Sequence, residues 1–360
     1  MSFTVNQTVF NTILDMDDNV TIQSYSHKYT VLYDSSSLKK LIHENYNEND
    51  FILIDNNVHN LDPTSVDSVD KKNIFFLEAI EENKTIDTVL KIVDTLLSIN
   101  FTKKNKLLVI GGGITQDVGG MTCALYKRGL RWTFIPTTML SMTDSAIGGK
   151  VGINRNNKNV LALFVAPQKI IISNYFLNSL KKEDIVSGLG ESLKLSLTGG
   201  EQCLNLFMEY LKNNDYISII KMTTSIKKII IEHDELEKNE RRVLNYGHTV
   251  GHALESATNY FIPHGIAVLY GMLIKNELFY GNKYSTLNSY IYELIPDKFK
   301  NVKINYTIFL SSMLNDKKNE GNNVCFVLLE ELGKSIFVFK KLELIKYDLQ
   351  ILINKYFTCL

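Results

Sequence analysis

The sequence predicts an α/β N-terminal domain over residues 1–180 followed by a mainly α-helical half over 181–360, and three observations carry that expectation. At 360 residues the chain exceeds the usual size of one domain. Short apolar runs alternate with helical periods through the first half, the punctuation of βαβ units. From about Lys181 onward the pattern changes to long helical periods with few strand-like runs.

In chain order, Val20 to Asp34 carries paired β-rich stretches around Ser26-His27, which reads as an edge hairpin. The runs Phe51-Ile52-Leu53-Ile54, Ile74-Phe75-Phe76, Leu107-Leu108-Val109-Ile110, Thr133-Phe134-Ile135 and Ile170-Ile171-Ile172 suit parallel strands buried on both faces. Ile86, Val89, Leu90, Val93, Leu96 and Leu97 recur at three- and four-residue steps, the stripe of an amphipathic helix. In the second half the helical periods cover 183–198, 217–232, 247–259 and 266–280. Val324 to Leu329 and Ser335 to Phe339 flank Glu-Leu-Gly-Lys as a late hairpin before a final helix at 341–356.

Bulk composition narrows the function classes. Lys plus Arg and Asp plus Glu both total 39, so the basic excess of a nucleic-acid binder is missing. The hydrophobic fraction of 45% and the five prolines fit a folded globular chain rather than a disordered one. Cys123, Cys203, Cys325 and Cys359 are scattered, which points to reduced thiols. The N-terminus is interrupted by Asp15, Asp17 and Asp18 and has no export signal, and no window approaches a membrane span. A cytoplasmic enzyme with neither nucleic acid nor membrane as partner is expected.

Val109-Ile110-Gly111-Gly112-Gly113 followed by Ile114-Thr115-Gln116-Asp117 reads as a strand, a glycine turn and a helix start, where backbone amides can approach a pyrophosphate. A plain tight turn reads equally well, since the spacing is not G-x-G-x-x-G. Asp55 ends a buried strand where a carboxylate can accept from ribose hydroxyls, and Thr137 and Thr138 end another; simple cap chemistry is the alternative for each.

His248 and His252 stand four residues apart on one helical face, and His264 follows Pro263. With a carboxylate such as Glu191 this cluster would supply nitrogen and oxygen ligands suited to zinc; backbone-bonded helix histidines are the alternative. Arg128, Lys150, Lys158, Lys194, Lys227, Arg241, Lys317 and Lys318 fall at motif edges in a neutral chain, which suggests a small substrate bearing phosphate or carboxylate.

Taken together, GGGITQDVGG, YKRG, IPTTML, DSAIGGKVGIN, GLGESLK, DELEKNERRVLNYGHTVGHALE, PHGIAVLYGM and DKKNEG are similar to the 3-dehydroquinate synthase family of sugar phosphate cyclases, in the family's order over roughly residues 50 to 335. The resemblance implies a Rossmann-like NAD domain, a helical metal-binding domain, a homodimer and an active site in the cleft between domains. It implies Glu191, His248 and His264 as ligands of one zinc or cobalt ion, and moves His252 to the substrate side. It implies that Asp144, Lys150, Asn159, Lys194, Lys227, Arg241, Asn245 and one of Lys317 or Lys318 face substrate, with Arg128 reaching its phosphate from a partner subunit. For NAD it implies Asp55, Glu81, Lys84, Gly112, Gly113, Asp117, Thr137, Thr138, Lys158 and Ser179.

The implied reaction oxidises one substrate alcohol transiently, eliminates phosphate, returns the hydride and closes a carbocycle by an intramolecular aldol step, with the leaving phosphate assisting proton removal. Arg241 and Asn245 match the carboxylate side of the family substrate, so 3-deoxy-D-arabino-heptulosonate 7-phosphate and the shikimate pathway are expected. Cyclases of the 2-deoxy-scyllo-inosose or valiolone type and a metal-dependent polyol dehydrogenase are the alternatives. Gln116, Gly119, Ile80 and Lys181 depart from the family pattern, and the loop after Asn154 is one residue short.

Overall fold

The computed structural model describes residues 1–11, 13–315, 319 and 323–359. The chain divides into two compact units, one of residues 15–181 and one made of 1–14 together with 182–360.

In the α/β unit seven strands form one sheet in the order Asn19–Gln23, Lys28–Asp34, Lys169–Ser173, Arg131–Pro136, Lys106–Gly111, Phe51–Asp55, Ile74–Leu77. The first two pair antiparallel as the expected edge hairpin, and every other neighbouring pair is parallel. Phe51 to Ile54 and Leu107 to Ile110 are completely buried, as continuous apolar runs covered on both faces must be. The chain steps outward from Phe51–Asp55 to Ile74–Leu77 and returns to the opposite side at Lys106–Gly111. That reversal is a topological switch point, and the carboxyl ends beside it carry Asp55 and Gly111.

The helix Ile86–Ser98 begins at an N-cap in which Thr85 accepts from the Thr88 amide at 3.3 Å. Its buried stripe is narrower than the sequence period: Val89, Ile92 and Leu96 are covered, while Leu90 and Leu97 are about half exposed. After the glycine turn the helix Gly113–Leu125 lies close on the sheet, because a Cβ at Gly119 would stand 2.7 Å from Val109 and 3.1 Å from Leu53. That explains one departure from the family pattern as a close helix–strand contact. An antiparallel hairpin, Lys150–Arg155 with Asn157–Phe164, completes this unit's main elements.

The second unit holds the expected helices Lys182–Gly199, Tyr216–His233, His248–Ala257, His264–Tyr280 and Leu342–Tyr356, with Glu201–Lys212, Ser285–Leu294 and Tyr306–Leu314 in addition. The late hairpin, Asn323–Glu331 with Lys334–Lys341, is joined by two strands from the other end of the chain. Ser2–Val5 pairs parallel with Lys334–Lys341 and antiparallel with Thr8–Asn11, burying Phe3, Val5 and Phe10. The first fourteen residues therefore fall outside the expected 1–180 domain, since the apolar alternation of Phe3, Val5 and Phe10 finds its partner sheet in the C-terminal half. Among the described residues no helix is long and apolar enough to cross a membrane.

Two close helix approaches shape this unit. A Cβ at Gly265 would lie 1.7 Å from the Ser187 carbonyl oxygen, and one at Gly190 would lie 2.2 Å from the Gly265 oxygen. A Cβ at Gly271 would lie 1.9 Å from the oxygen of Gly247, which itself adopts φ +85°. The helix His264–Tyr280 can thus press against both Lys182–Gly199 and His248–Ala257 only because these positions carry no side chain.

Candidate functional sites of the two units

At the switch point of the α/β unit, Gly112 is the N-cap of the helix Gly113–Leu125, whose first amides are unpaired within the helix and favour an anion. A Cβ at Gly113 would meet nothing nearer than Ser145 Oγ at 3.8 Å, so this face of the turn is open. Thr138 Cγ2 packs 3.0 Å from a Cβ at Gly112, and the Thr137 amide donates to the Gly111 carbonyl at 3.0 Å, which places both threonines against the glycine turn. Gln116, the second departure, is buried and exchanges two hydrogen bonds with Ser145, one to its carbonyl and one from its hydroxyl, each at 2.7 Å. It ties the helix start to the turn Ser141–Ser145 that carries Asp144. Asp55 caps the short helix Asn56–His59 with Oδ1, 2.9 Å from the Asn57 amide, and burial raises its carboxyl pKa.

A second cluster brings expected residues together through bonds the sequence did not announce. Lys84 is buried, with Nζ 2.9 Å from Asp117 Oδ2 and 2.6 Å from Asn159 Oδ1. Asp117 also accepts from the Gly152 amide at 3.0 Å, and burial raises its pKa against the pull of Lys84. Glu81 accepts from Asn154 Nδ2 at 2.8 Å, and Asn154 Oδ1 accepts from the Asn159 amide at 2.8 Å. Asn154, unassigned from sequence, thereby links Glu81 to Asn159, which holds φ +53°. Lys158 lines an open cavity of about 280 Å³ beside Thr85, Asp87 and Asn154. Ser179 donates to the Phe176 carbonyl within its own turn, at 2.7 Å. Lys150 and Arg128 are exposed, Arg128 at φ +67° on the turn before Gly129.

The helical unit gathers Glu191, His248, His252 and His264. The three imidazoles offer nitrogens within 4.8 Å of one another, a grouping able to hold a metal ion. Glu191 is completely buried; its Oε2 pairs with Lys194 one turn along the same helix. Its Oε1 is a buried acceptor without a hydrogen-bond partner, 3.5 Å from His248 Nε2 and 3.3 Å from His264 Nε2. The far ring nitrogens are engaged behind: His248 Nδ1 lies 3.2 Å from the Tyr246 carbonyl and His264 Nδ1 lies 3.0 Å from Glu255 Oε2. Burial works to lower the His264 pKa, but Glu255 and Glu191 outweigh it and push it up to about 10. An orphaned carboxylate oxygen facing two imidazole nitrogens whose other sides are already bonded fits a divalent cation with mixed oxygen and nitrogen ligands. The His252 ring stands edge-on to His248, centroids 5.2 Å apart, and tilted against His264 at 5.6 Å.

In the same unit Lys194, Lys227, Arg241 and Asn245 are all buried. Asp234 shapes the segment carrying Arg241 by accepting from the amides of Lys238, Asn239 and Arg241 at 2.9, 2.8 and 3.1 Å. The Arg241 guanidinium donates to the Glu235 carbonyl, and Asn245 donates to Glu237 Oε1 at 2.7 Å. Lys317 and Lys318 lie outside the described residues. Asp234, Glu237 and Glu255 were missed from sequence, where each looks like any helix or loop acid. Glu255 alone had a signal, standing two turns after His248 on one helical face.

Known proteins of similar sequence and fold belong to one group. The pattern described as 3-dehydroquinate synthase N-terminal matches residues 74–187, and the C-terminal one matches 188–319. A 3-dehydroquinate synthase of Pelagibacter ubique is 33% identical over 94% of this chain and 98% of its own. Among solved structures, a 2-deoxy-scyllo-inosose synthase complexed with carbaglucose-6-phosphate, NAD+ and Co2+ superposes with a TM-score of 0.78 at 19% identity, covering 92% of this chain and 99% of its own. The 2-epi-5-epi-valiolone synthase of Streptomyces hygroscopicus, with NAD+ and Zn2+ bound, reaches 0.77 at 20% identity over 91% and 97%. At these identities the two structures speak for the fold.

Proposed function

The chain belongs to the 3-dehydroquinate synthase family, and from that premise we propose that it is a phosphate-eliminating lyase converting 3-deoxy-D-arabino-heptulosonate 7-phosphate to 3-dehydroquinate. NAD on the α/β unit and a zinc or cobalt ion on the helical unit are its cofactors, the first supplying a recycled hydride acceptor and the second Lewis-acid polarisation of a substrate hydroxyl.

The observation that carries this reading is the unpartnered Glu191 Oε1 facing His248 and His264. Glu191, His248 and His264 would hold the metal, while Lys194 pairs with the second carboxylate oxygen of Glu191. Lys150, Lys227 and Arg241 would offset substrate phosphate and carboxylate charge, with Asp144, Asn159, Asn245 and His252 as further substrate contacts. Arg241 is held by Asp234 and the Glu235 carbonyl, so its guanidinium is pre-oriented for a planar carboxylate. The glycine turn with Thr137 and Thr138 would receive the NAD pyrophosphate, Asp55 a ribose, and Glu81, Lys84, Asp117, Lys158 and Ser179 the rest of the cofactor. A homodimer completes the reading, Arg128 of one copy serving the phosphate of the other.

The test is an assay of the chain with NAD, zinc or cobalt and candidate sugar phosphates. Phosphate release with formation of the carbocycle and no net NADH is expected from the heptulosonate. Steady NADH accumulation without phosphate release would reject the cyclase reading in favour of a dehydrogenase. Arg241→Ala should raise KM for the carboxylated substrate about 100-fold or more, as loss of a charge-assisted pair does.

A further inference from the structure

We infer that Glu255 is a positioning residue of the metal centre: its carboxylate fixes the His264 imidazole so that Nε2 is the nitrogen presented beside Glu191. The inference rests on the metal reading above and adds a residue that touches neither metal nor substrate.

The two histidines reach the site by different routes. His248 opens the helix His248–Ala257 and is held behind by a neutral backbone carbonyl, that of Tyr246. His264 opens the next helix, after a loop in which Asn259 and Tyr260 adopt φ +49° and +59°. The Tyr260 amide donates to the Glu255 carbonyl at 2.7 Å, so the loop folds the chain back over the residue that carries the carboxylate. This backbone bond brings the His264 Cα to the right place but leaves the ring free to rotate about its own side-chain bonds. The Glu255 side chain removes that freedom, with Oε2 3.0 Å from Nδ1 while Nε2 stands 3.3 Å from Glu191 Oε1.

Glu255 is itself 4% exposed. A carboxylate is placed at such depth at a cost unless a cationic or hydrogen-bonding group meets it, and the His264 ring is a group the structure sets against it. An anionic acceptor behind an imidazole both selects its tautomer and makes the opposite nitrogen a stronger donor than a carbonyl would. Of the two histidine ligands, His264 is therefore the better donor and the one most dependent on its support.

The experiment titrates Co2+ into metal-free full-length wild type, Glu255→Gln and Glu255→Ala, reading affinity by chelator competition and ligand geometry from the cobalt d–d absorption. Affinity should fall about 100-fold for the alanine variant and about 10-fold for glutamine, which keeps an acceptor but not the charge. The alanine variant should also shift the absorption bands, and far-UV circular dichroism should be unchanged. Wild-type affinity and spectrum in the alanine variant would overturn the role while leaving the metal centre standing. If that variant does not fold, wild-type affinity in the glutamine variant overturns it equally. No cobalt uptake by the wild type would remove the metal reading and this role together.

Discussion

Gly113 in the α/β unit leaves space open beside it, whereas Gly265 and Gly271 in the helical unit leave space that neighbouring protein backbone already fills. The first unit presents main-chain amides and strand ends at a switch point, and its candidate ligand site is largely made by topology. The second presents side chains from three helices, and its site exists only if those helices approach to within backbone contact. Substitutions should therefore separate binding from folding in the first unit and join them in the second.

The largest effect is expected from Glu191→Gln, which takes the charge from the orphaned oxygen and leaves buried Lys194 without its carboxylate. Turnover should fall about a thousand-fold or more with loss of stoichiometric metal, measured by steady-state kinetics and metal analysis of the same sample. Next, Gly265→Ala forces a methyl group 1.7 Å from the Ser187 oxygen. It should cost about 3 kcal/mol or more in denaturant unfolding and weaken metal binding together, as overpacking against backbone does. Gly113→Ala sharpens the contrast: the folded chain has room for it, so the denaturation midpoint should hold while the NAD Kd rises about tenfold through obstruction of a close-approaching phosphate. Retained NAD affinity would remove the glycine turn from the cofactor site.

A smaller effect tests the electrostatics of the helical unit. Glu255 and Glu191 raise the metal-free His264 pKa to about 10, but only the neutral ring can ligate. Cation uptake at neutral pH should release about one proton, and apparent affinity should weaken as pH falls. Calorimetry in two buffers of different ionisation enthalpy reads this directly. Equal heats would contradict it.

How much of this was legible follows the same division. The runs 51–54, 107–110 and 170–172 announced the parallel sheet because burial on both faces leaves no other residue type tolerable. The spacing of His248 and His252 announced a site because a helix fixes which side chains share a face. Illegible parts are those set by packing between distant segments. Ser2–Val5 looks like any short β-rich stretch until Lys334–Lys341 offers it an edge, and this moved the N-terminus out of the expected domain. Spacing alone could rank His252 with the ligands, and it named Glu191 only as one possible carboxylate; what sets Glu191 beside His264 is a helix more than fifty residues upstream, packed close through Gly190 and Gly265. Asn154 carries no pattern of its own, and Glu255 only its place two turns after His248; each acts by bonding another residue of its cluster.

The most direct test is anomalous diffraction at the metal absorption edge from crystals grown with zinc or cobalt. One peak is predicted, bonded to Glu191 Oε1, His248 Nε2 and His264 Nε2 at about 2.0–2.2 Å. A cation held by the three histidines with Glu191 turned away, or one bound elsewhere in the chain, would contradict the account.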